Sequence, residues 1–296
     1  MKIKSVDVVM CTWNSNSSFF EKCLKSVKRE IPIHHFIVVD RFSTDETINT
    51  IKKYSEPIVV YSQENLAKAR SIGIDLVDTE YFVFLDDDVE LPIGWFNRLT
   101  GFIEHRVGAV HEQIIWFGLV GKHSKFIPAR FVKWESATLK RGLVTDLSRE
   151  GSLKARGYTF ATIIKTSIVK DWKPSSIICA YEDYLLTRHV LEKGYIWRIV
   201  NNYSTIHYKP RNLREHLRNV RWSIAGARIT GFLTFKTLIA QLIKENVNAF
   251  KECIKFKEPR ILGYTALMKL VEVDAYLRWK KFLVMKRQQN VAQYKL

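Results

Sequence analysis

Tyr81-Phe82-Val83-Phe84-Leu85-Asp86-Asp87-Asp88 is the stretch on which the fold turns. Five apolar residues, aromatic and β-branched among them, predict a short strand buried on both faces. The strand runs directly into three carboxylates. Adjacent like charges repel one another and resist desolvation, so such a triplet is either fully solvated or balanced by a cation. Hard oxygen donors at the mouth of a strand suit Mg²⁺ or Mn²⁺, ions that neutralise phosphate groups. A solvated acidic turn is the simpler reading of an isolated triplet. The flanking elements decide between the two.

Working outward, Val6-Asp7-Val8-Val9-Met10 predicts a first strand, with Cys11-Thr12-Trp13-Asn14 as the loop at its carboxyl end. Ser18 with Glu21 has capping-box spacing and predicts a helix to about Arg29. Phe36-Ile37-Val38-Val39 is a second buried strand closed by Asp40. Ser43 with Glu46 offers a second capping box, and Ile58 to Tyr61 a third strand. Leu66, Ala69, Ile72, Gly73 and Leu76 recur at helical spacing, which predicts a helix over residues 65–77. Pro92 suits the first turn of the helix that follows the acidic triplet. Strand and helix alternate throughout, which predicts a parallel, doubly wound α/β sheet that binds ligands outside the carboxyl ends of its strands. Neither a GxGxxG fingerprint nor a GxxxxGK[ST] loop is present. A nucleotide would therefore be held by carboxylates and a metal, without a glycine cradle.

Four stretches together resemble the family 2 glycosyltransferases of GT-A fold. They are Val8 to Asn14, Val38-Val39-Asp40 with Ser43-Thr44-Asp45, Asn65 to Arg70, and Phe84 to Asp88. The resemblance implies a nucleotide-diphosphate sugar donor, a divalent metal, and inversion at the anomeric carbon. It implies donor contacts from Cys11, Thr12, Asn14, Asp40, Arg70, Asp86 and Asp87, and metal ligation by Asp88 and Asp86. It also implies a nucleotide-sugar-binding half over residues 1–110, an acceptor-binding half over 111–208, and a C-terminal helical basic region over 209–296. In one departure, Arg41 stands where the family usually has a second acid that contacts the base, which leaves the base open.

The second constellation is Ala180-Tyr181-Glu182-Asp183-Tyr184, opening a helix to about Lys193 with Gly194 as its stop. Acids at a helix start are commonly no more than good partners for its dipole. In the family, a Glu-Asp pair followed by a helix and a Gly-Tyr, here Gly194-Tyr195, carries the general base. Asp183 is the expected base and Glu182 its understudy or orienting partner, since the attacking hydroxyl must lose a proton as the bond forms. His207 follows a strand-like Tyr203 to Ile206. A lone His is usually an ordinary core or surface residue, but relatives place one at a similar point to complete the metal shell. His34 and His35 read as ordinary. Gly157 to Ile164 predicts a strand returning to the core, and Ala109 to Trp116 another.

The 296 residues are 47% apolar, which excludes general disorder. Cys11, Cys23, Cys179 and Cys253 lack CxxC spacing, which argues against a structural zinc or a disulfide framework and fits a reducing compartment. No charged-then-apolar leader is visible, so a cytoplasmic protein is expected. The net charge of +17 is segregated: 19 Lys and Arg face 6 Asp and Glu from Tyr208 onward, while the preceding residues are nearly balanced. Trp222 to Ile243 and Tyr264 to Met285 read as basic amphipathic helices. Arg228 and Lys236 make a spanning helix costly, so peripheral contact with the inner face of a membrane fits better. A helical subdomain packing on the core is the plainer reading. Trp116, Phe117, Phe126, Phe131 and Trp134, interleaved with Lys and Arg, would stack on sugars, lie over lipid or grip nucleic acid, or else pack inward. The acceptor is then a glycan or a lipid-linked group. A nucleotidyltransferase would need a glycine-rich basic loop that residues 11–16 lack. No nucleic-acid motif supports the other alternative, a basic nucleic-acid-binding protein.

Overall fold

The computed structural model describes residues 3–117, 120–121, 127–128, 143–150, 156–208 and 213–282. The chain forms two compact units, the first comprising residues 1–117, 137–176 and 182–208, the second 118–136, 177–181 and 209–296.

The first unit is built on a nine-stranded sheet. In chain order its strands are β1 (Val6–Thr12), β2 (Ile33–Asp40), β3 (Pro57–Tyr61), β4 (Tyr81–Leu85), β5 (Val89–Glu90) and β6 (Val107–Phe117). The short pair β7 (Val120–Gly121) and β8 (Ile127–Pro128) lies in the second unit. The large sheet is completed by β9 (Val144–Leu147), β10 (Ala161–Lys165) and β11 (Ile196–Tyr208). Their order is β3-β2-β1-β4-β10-β6-β11-β5, with β9 beside β11. Neighbours from β3 to β4 are parallel, as are β6 and β11, whereas β10 runs antiparallel between β4 and β6. All five residues of β4 are buried, as a central strand covered on both faces requires.

The helices of this unit are α1 (Ser18–Glu30), α2 (Thr47–Lys52), α3 (Leu66–Leu76), α4 (Trp95–Thr100), α5 (Thr166–Val169) and α6 (Glu182–Glu192). Gly73 sets how closely α3 approaches the sheet, since a Cβ there would come within 2.3 Å of Val9 Cγ1. That approach fixes the helix carrying Arg70. Two capping expectations are corrected. Ser17, one residue before the expected Ser18, caps α1 through Phe20 N. Ser43 does not cap α2, which starts at Thr47 without a side-chain cap, because its hydroxyl is engaged by Asp40. Pro92 precedes α4 by three positions. The expected strand over 157–164 narrows to β10, and the strand-like Tyr203 to Ile206 is the end of a 13-residue strand.

The second unit contains α7 (Leu213–Ile229), α8 (Phe235–Phe256) and α9 (Arg260–Leu277). The continuous helix expected over 222–243 is broken here. Gly231 lies at φ +73°, and Thr234 forms a reciprocal capping box with Thr237 that opens α8. Ala227, Leu233, Leu238 and Tyr276 form the core, with Tyr181 and Phe232 against it. Lys269 joins α8 to α9 by contacting Glu245 and, at 2.8 Å, Glu272. The aromatic-basic stretch around Phe126, Phe131 and Trp134 lies outside the described residues, as do the side chains of Trp116 and Phe117.

Candidate active site

The first loop, after β1, is laced to the second, after β2. Asp40 is fully buried, and its Oδ2 accepts from Thr12 Oγ1 at 2.8 Å and Ser43 Oγ at 2.6 Å. Its Oδ1 accepts from Ser43 N at 2.7 Å. Asn14, in the left-handed region at φ +48°, donates its N–H to Ser43 Oγ and accepts from Thr44 N, each at 2.8 Å. The Asp40 carboxylate is thus committed to holding these loops together. Burial pushes the Cys11 thiol up to about 12, so it stays neutral at physiological pH.

The acidic triplet divides its work. Asp86 Oδ1 accepts from Arg70 Nη2 at 2.6 Å, and its N–H donates to Phe160 O at 2.8 Å. Asp87 turns inward and accepts from Ser15 Oγ. Burial, reinforced by the neighbouring Asp88 charge, raises its carboxyl to about 7. Asp88 turns outward, and its Oδ1 lies 2.8 Å from His207 Nε2. The ladder between β5 and the end of β11 brings them together, since His207 pairs with Val89 and Tyr208 N donates to Asp88 O at 2.9 Å. One donor atom each from Asp86, Asp88 and His207 all fall within 4.8 Å of one another. Two carboxylates and one imidazole at that spacing fit a hard or borderline divalent ion.

Arg70 links this cluster to the second constellation. It is almost fully buried, and its Nη1 donates to Glu182 Oε1 at 2.6 Å and also to Thr159 Oγ1. Burial is the largest influence on Glu182 and raises its carboxyl to about 7, despite the Arg70 charge. Asp183 faces Arg156 instead, in a two-pronged pair with Nη2 to Oδ2 at 2.8 Å and Nε to Oδ1 at 2.9 Å. Its Oδ1 also accepts from Tyr184 N at 2.8 Å, an interaction available only at a helix start. Direct contacts therefore join Arg70 to Asp86 and Glu182, and Asp88 to His207, and the two groups meet where Asp86, Asp88 and His207 approach within 4.8 Å. Cys11 and Thr12 end β1, Asp40 ends β2, and Asn14 lies in the adjoining loop.

Ser15, Thr159 and Arg156 are the site-building residues that sequence reasoning missed. Ser15 lies in the polar loop already singled out. Arg156 stands just before, and Thr159 within, the strand expected over residues 157–164, and only the antiparallel insertion of β10 brings them here.

Residues 7–150 match the sequence profile described as Glycosyl transferase family 2. These residues, just under half of the chain, form a domain of that family. The matched stretch carries the triplet and Arg70, while Glu182, Asp183 and His207 follow it. Over 108 residues the chain is 33% identical to polypeptide N-acetylgalactosaminyltransferase 8 of Drosophila melanogaster, covering 33% of this chain. It spans 18% of the length of that relative. Its fold is similar to that of S. aureus TarS 1-349 in complex with UDP-GlcNAc, with TM-score 0.55 and 17% identity over 96% of this chain and 92% of that one. The longer S. aureus TarS structure gives TM-score 0.53 at 16% identity, over 94% of this chain and 55% of that one. The chain thus shares the GT-A architecture of TarS, with helices following the sheet domain.

Proposed function

We propose that this chain is an inverting, metal-dependent glycosyltransferase that moves a sugar from a nucleotide diphosphate to an acceptor hydroxyl. The observation that carries the reading is the convergence of Asp86, Asp88 and His207 within 4.8 Å, with Arg70 tying Asp86 to the Glu182-Asp183 helix start. The donor of the TarS complex makes a UDP-linked N-acetylhexosamine the first candidate. Held by Asp86, Asp88 and His207, Mg²⁺ or Mn²⁺ would neutralise the donor diphosphate and its leaving group. Asp40 shapes the nucleoside loop by fixing Thr12 and Ser43. Arg70 positions Asp86 and Glu182. Asp183 accepts the proton of the acceptor hydroxyl as the new oxygen–carbon bond forms and the bond to the diphosphate breaks. Glu182, locked on buried Arg70, is a positioning residue. Asp183 is the better base because its partner Arg156 is partly exposed, whereas Arg70, which holds Glu182, is buried.

The acceptor is proposed to be lipid-linked, on an anionic membrane surface facing the cytoplasm. Among the described residues no helix is long and apolar enough to cross a membrane. α8 nevertheless leaves Phe235, Ile239, Ile243, Val247, Phe250 and Ile254 exposed along one stripe, with Lys244, Lys251 and Lys255 on the adjacent face. An apolar stripe bordered by lysines complements an anionic interface.

A panel of UDP-, GDP- and dTDP-sugars in thermal shift, with and without Mn²⁺, tests the donor reading. A nucleotide sugar should raise the melting temperature only when the metal is present, because a ligand stabilises the state it binds. If no nucleotide sugar raises it under either condition, the reading fails.

A further inference from the structure

At the opposite, amino-terminal edge of the same sheet, four side chains converge that play no part in the site above. One donor atom each from Asp7, His34, His35 and Asp78 all lie within 4.8 Å of one another. His35 Nδ1 is 3.3 Å from Asp7 Oδ1 and 3.5 Å from Asp78 Oδ1, and His34 Nε2 is 3.5 Å from Asp78 Oδ1. These separations are long for hydrogen bonds. These three of the six donor separations are close to the edge of a tetrahedron, since metal–ligand bonds of about 2.0–2.1 Å place tetrahedral donors about 3.3 Å apart.

The backbone is arranged to bring them there. Val6 pairs with Ile33 but Val8 with Phe36, so β2 carries one extra residue opposite β1. That bulge spans His34 and His35, and it lets consecutive side chains gather with ring centroids 3.9 Å apart, where a regular strand would send them to opposite faces. Asp7 is fully buried at the start of β1, and its carboxylate accepts from His35 N at 3.0 Å, Asp78 N at 2.9 Å and Thr79 N at 3.2 Å. The buried carboxylate thus orders the very segments that carry the other donors, as residues around a metal centre do.

We propose that Asp7, His34, His35 and Asp78 form a second metal site, specific for a four-coordinate ion of the Zn²⁺ type. Two imidazoles with two carboxylates suit Zn²⁺ better than Mg²⁺, which prefers six oxygens. The site is structural. It ties the starts of β1 and β2 to the turn before β4, roughly a strand length from the acidic triplet, on the order of 17 Å.

The experiment uses the untagged full chain with Asp88→Ala and His207→Ala, which disables the other cluster. Zn²⁺ is titrated against a chromophoric chelator, and Co²⁺ is followed by its visible absorption. One equivalent of Zn²⁺ should bind and raise the melting temperature, and Co²⁺ should give the intense bands of four-coordinate geometry. Adding His34→Gln with His35→Gln should remove both signals, and Asp78→Asn should weaken binding at least tenfold. His34→Gln alone, at an exposed position in the otherwise natural chain, should reduce the Zn²⁺-dependent rise in melting temperature. Failure to retain Zn²⁺ in the first background, or undiminished binding after both His substitutions in a protein with unchanged far-UV dichroism, would overturn the proposal.

Discussion

Arg70 Nη1 donates to Glu182 Oε1 across 2.6 Å, joining α3 to the first residue of α6 over 112 positions of sequence. Both groups are buried, and the same guanidinium holds Asp86. Removing one member leaves a charge without compensation in a dry setting, which typically costs about 3–5 kcal/mol. Arg70→Met should therefore lower the urea midpoint strongly, and Arg70→Met with Glu182→Gln should recover part of the loss. A double-mutant cycle reads the coupling directly. Arg70→Lys should not rescue, because an ammonium lacks the fork that serves two carboxylates at once. Strict additivity of the two single substitutions would show that the pair is not energetically joined.

Asp88→Ala and His207→Ala test the metal cluster. Asp88 is the more exposed member, so its loss should leave the melting temperature of the free protein nearly unchanged. Mn²⁺-dependent stabilisation by a nucleotide sugar should vanish in Asp88→Ala and weaken roughly tenfold in His207→Ala, which forfeits one ligand of three. Undiminished metal dependence in Asp88→Ala would remove the triplet from the metal site.

The Glu-Asp pair separates a base from a positioning residue. Asp183→Asn keeps the shape but cannot accept a proton, so turnover should fall by roughly 10²-fold or more with donor affinity kept. Glu182→Gln should weaken the Arg70 contact and disturb donor binding together with turnover. Equal turnover in Asp183→Asn would exclude it as the base.

What could be read in the sequence was whatever is written locally. The apolar runs, Tyr81 to Leu85 above all, and the polar loops at strand ends placed the parallel strands β1 to β4, because strand burial and loop chemistry are properties of short windows. The resemblance extended this to Glu182, Asp183 and His207. The site's internal wiring was not legible. Thr159 and Arg156 matter only because β10 inserts antiparallel between β4 and β6, a long-range choice no window encodes. The break between α7 and α8 had a local signal, Thr230-Gly231 followed by Thr234, that apolar continuity concealed. Of Trp222, Phe232, Phe235, Trp279 and Phe282, the aromatics of the basic helical region, four are engaged or half-buried within the second unit. Phe232 packs on its core, Trp279 and Phe282 lie by Arg228 and Arg221, and Trp222 is half-buried. Phe235 alone of the five is exposed.

His111 gives the stability a defined pH dependence. It is fully buried on β6, its Nδ1 lying 2.9 Å from Glu112 O while Tyr158 N donates to its Nε2 at 3.2 Å. Burial lowers it to about 4, so the folded protein holds it neutral. The unfolded chain binds a proton near pH 6.5 that the folded chain refuses until about pH 4. Stability contributed by the neutral ring is therefore lost as pH falls through that window, by at most about 1.4 kcal/mol per pH unit. The slope of the urea midpoint against pH, from about pH 4.5 to 6.5, should be more positive for the natural chain than for His111→Gln. Asp87 and Glu182 act in the opposite sense but are present in both proteins, so the difference isolates His111. Parallel profiles would contradict the assignment.

The membrane reading rests on α8. Its 22 residues run about 33 Å as a helix. Leu238 and Ala249 face the second unit's interior, while Ile243 and Ile254 remain 63% and 64% exposed. The exposed apolar positions recur every three or four residues, so they form one stripe. Lys244, Lys251 and Lys255, seven and four residues apart, lie beside it, where their stems run along apolar surface and their ammonium groups would reach headgroups. Each such charge contributes on the order of 1 kcal/mol at an anionic surface and is screened within a Debye length, while apolar burial adds a part that salt does not remove. Full-length protein should therefore sediment with anionic vesicles at low salt, less at high salt, and weakly with neutral lipid. Ile243→Glu with Phe250→Glu should abolish sedimentation while the melting temperature stays nearly constant, since both side chains are already in water. If the natural protein ignores anionic vesicles at low salt, or the double variant binds equally well, the bilayer is not the partner of this stripe. A change from dimer to monomer on the same substitutions would then identify a second copy as its partner.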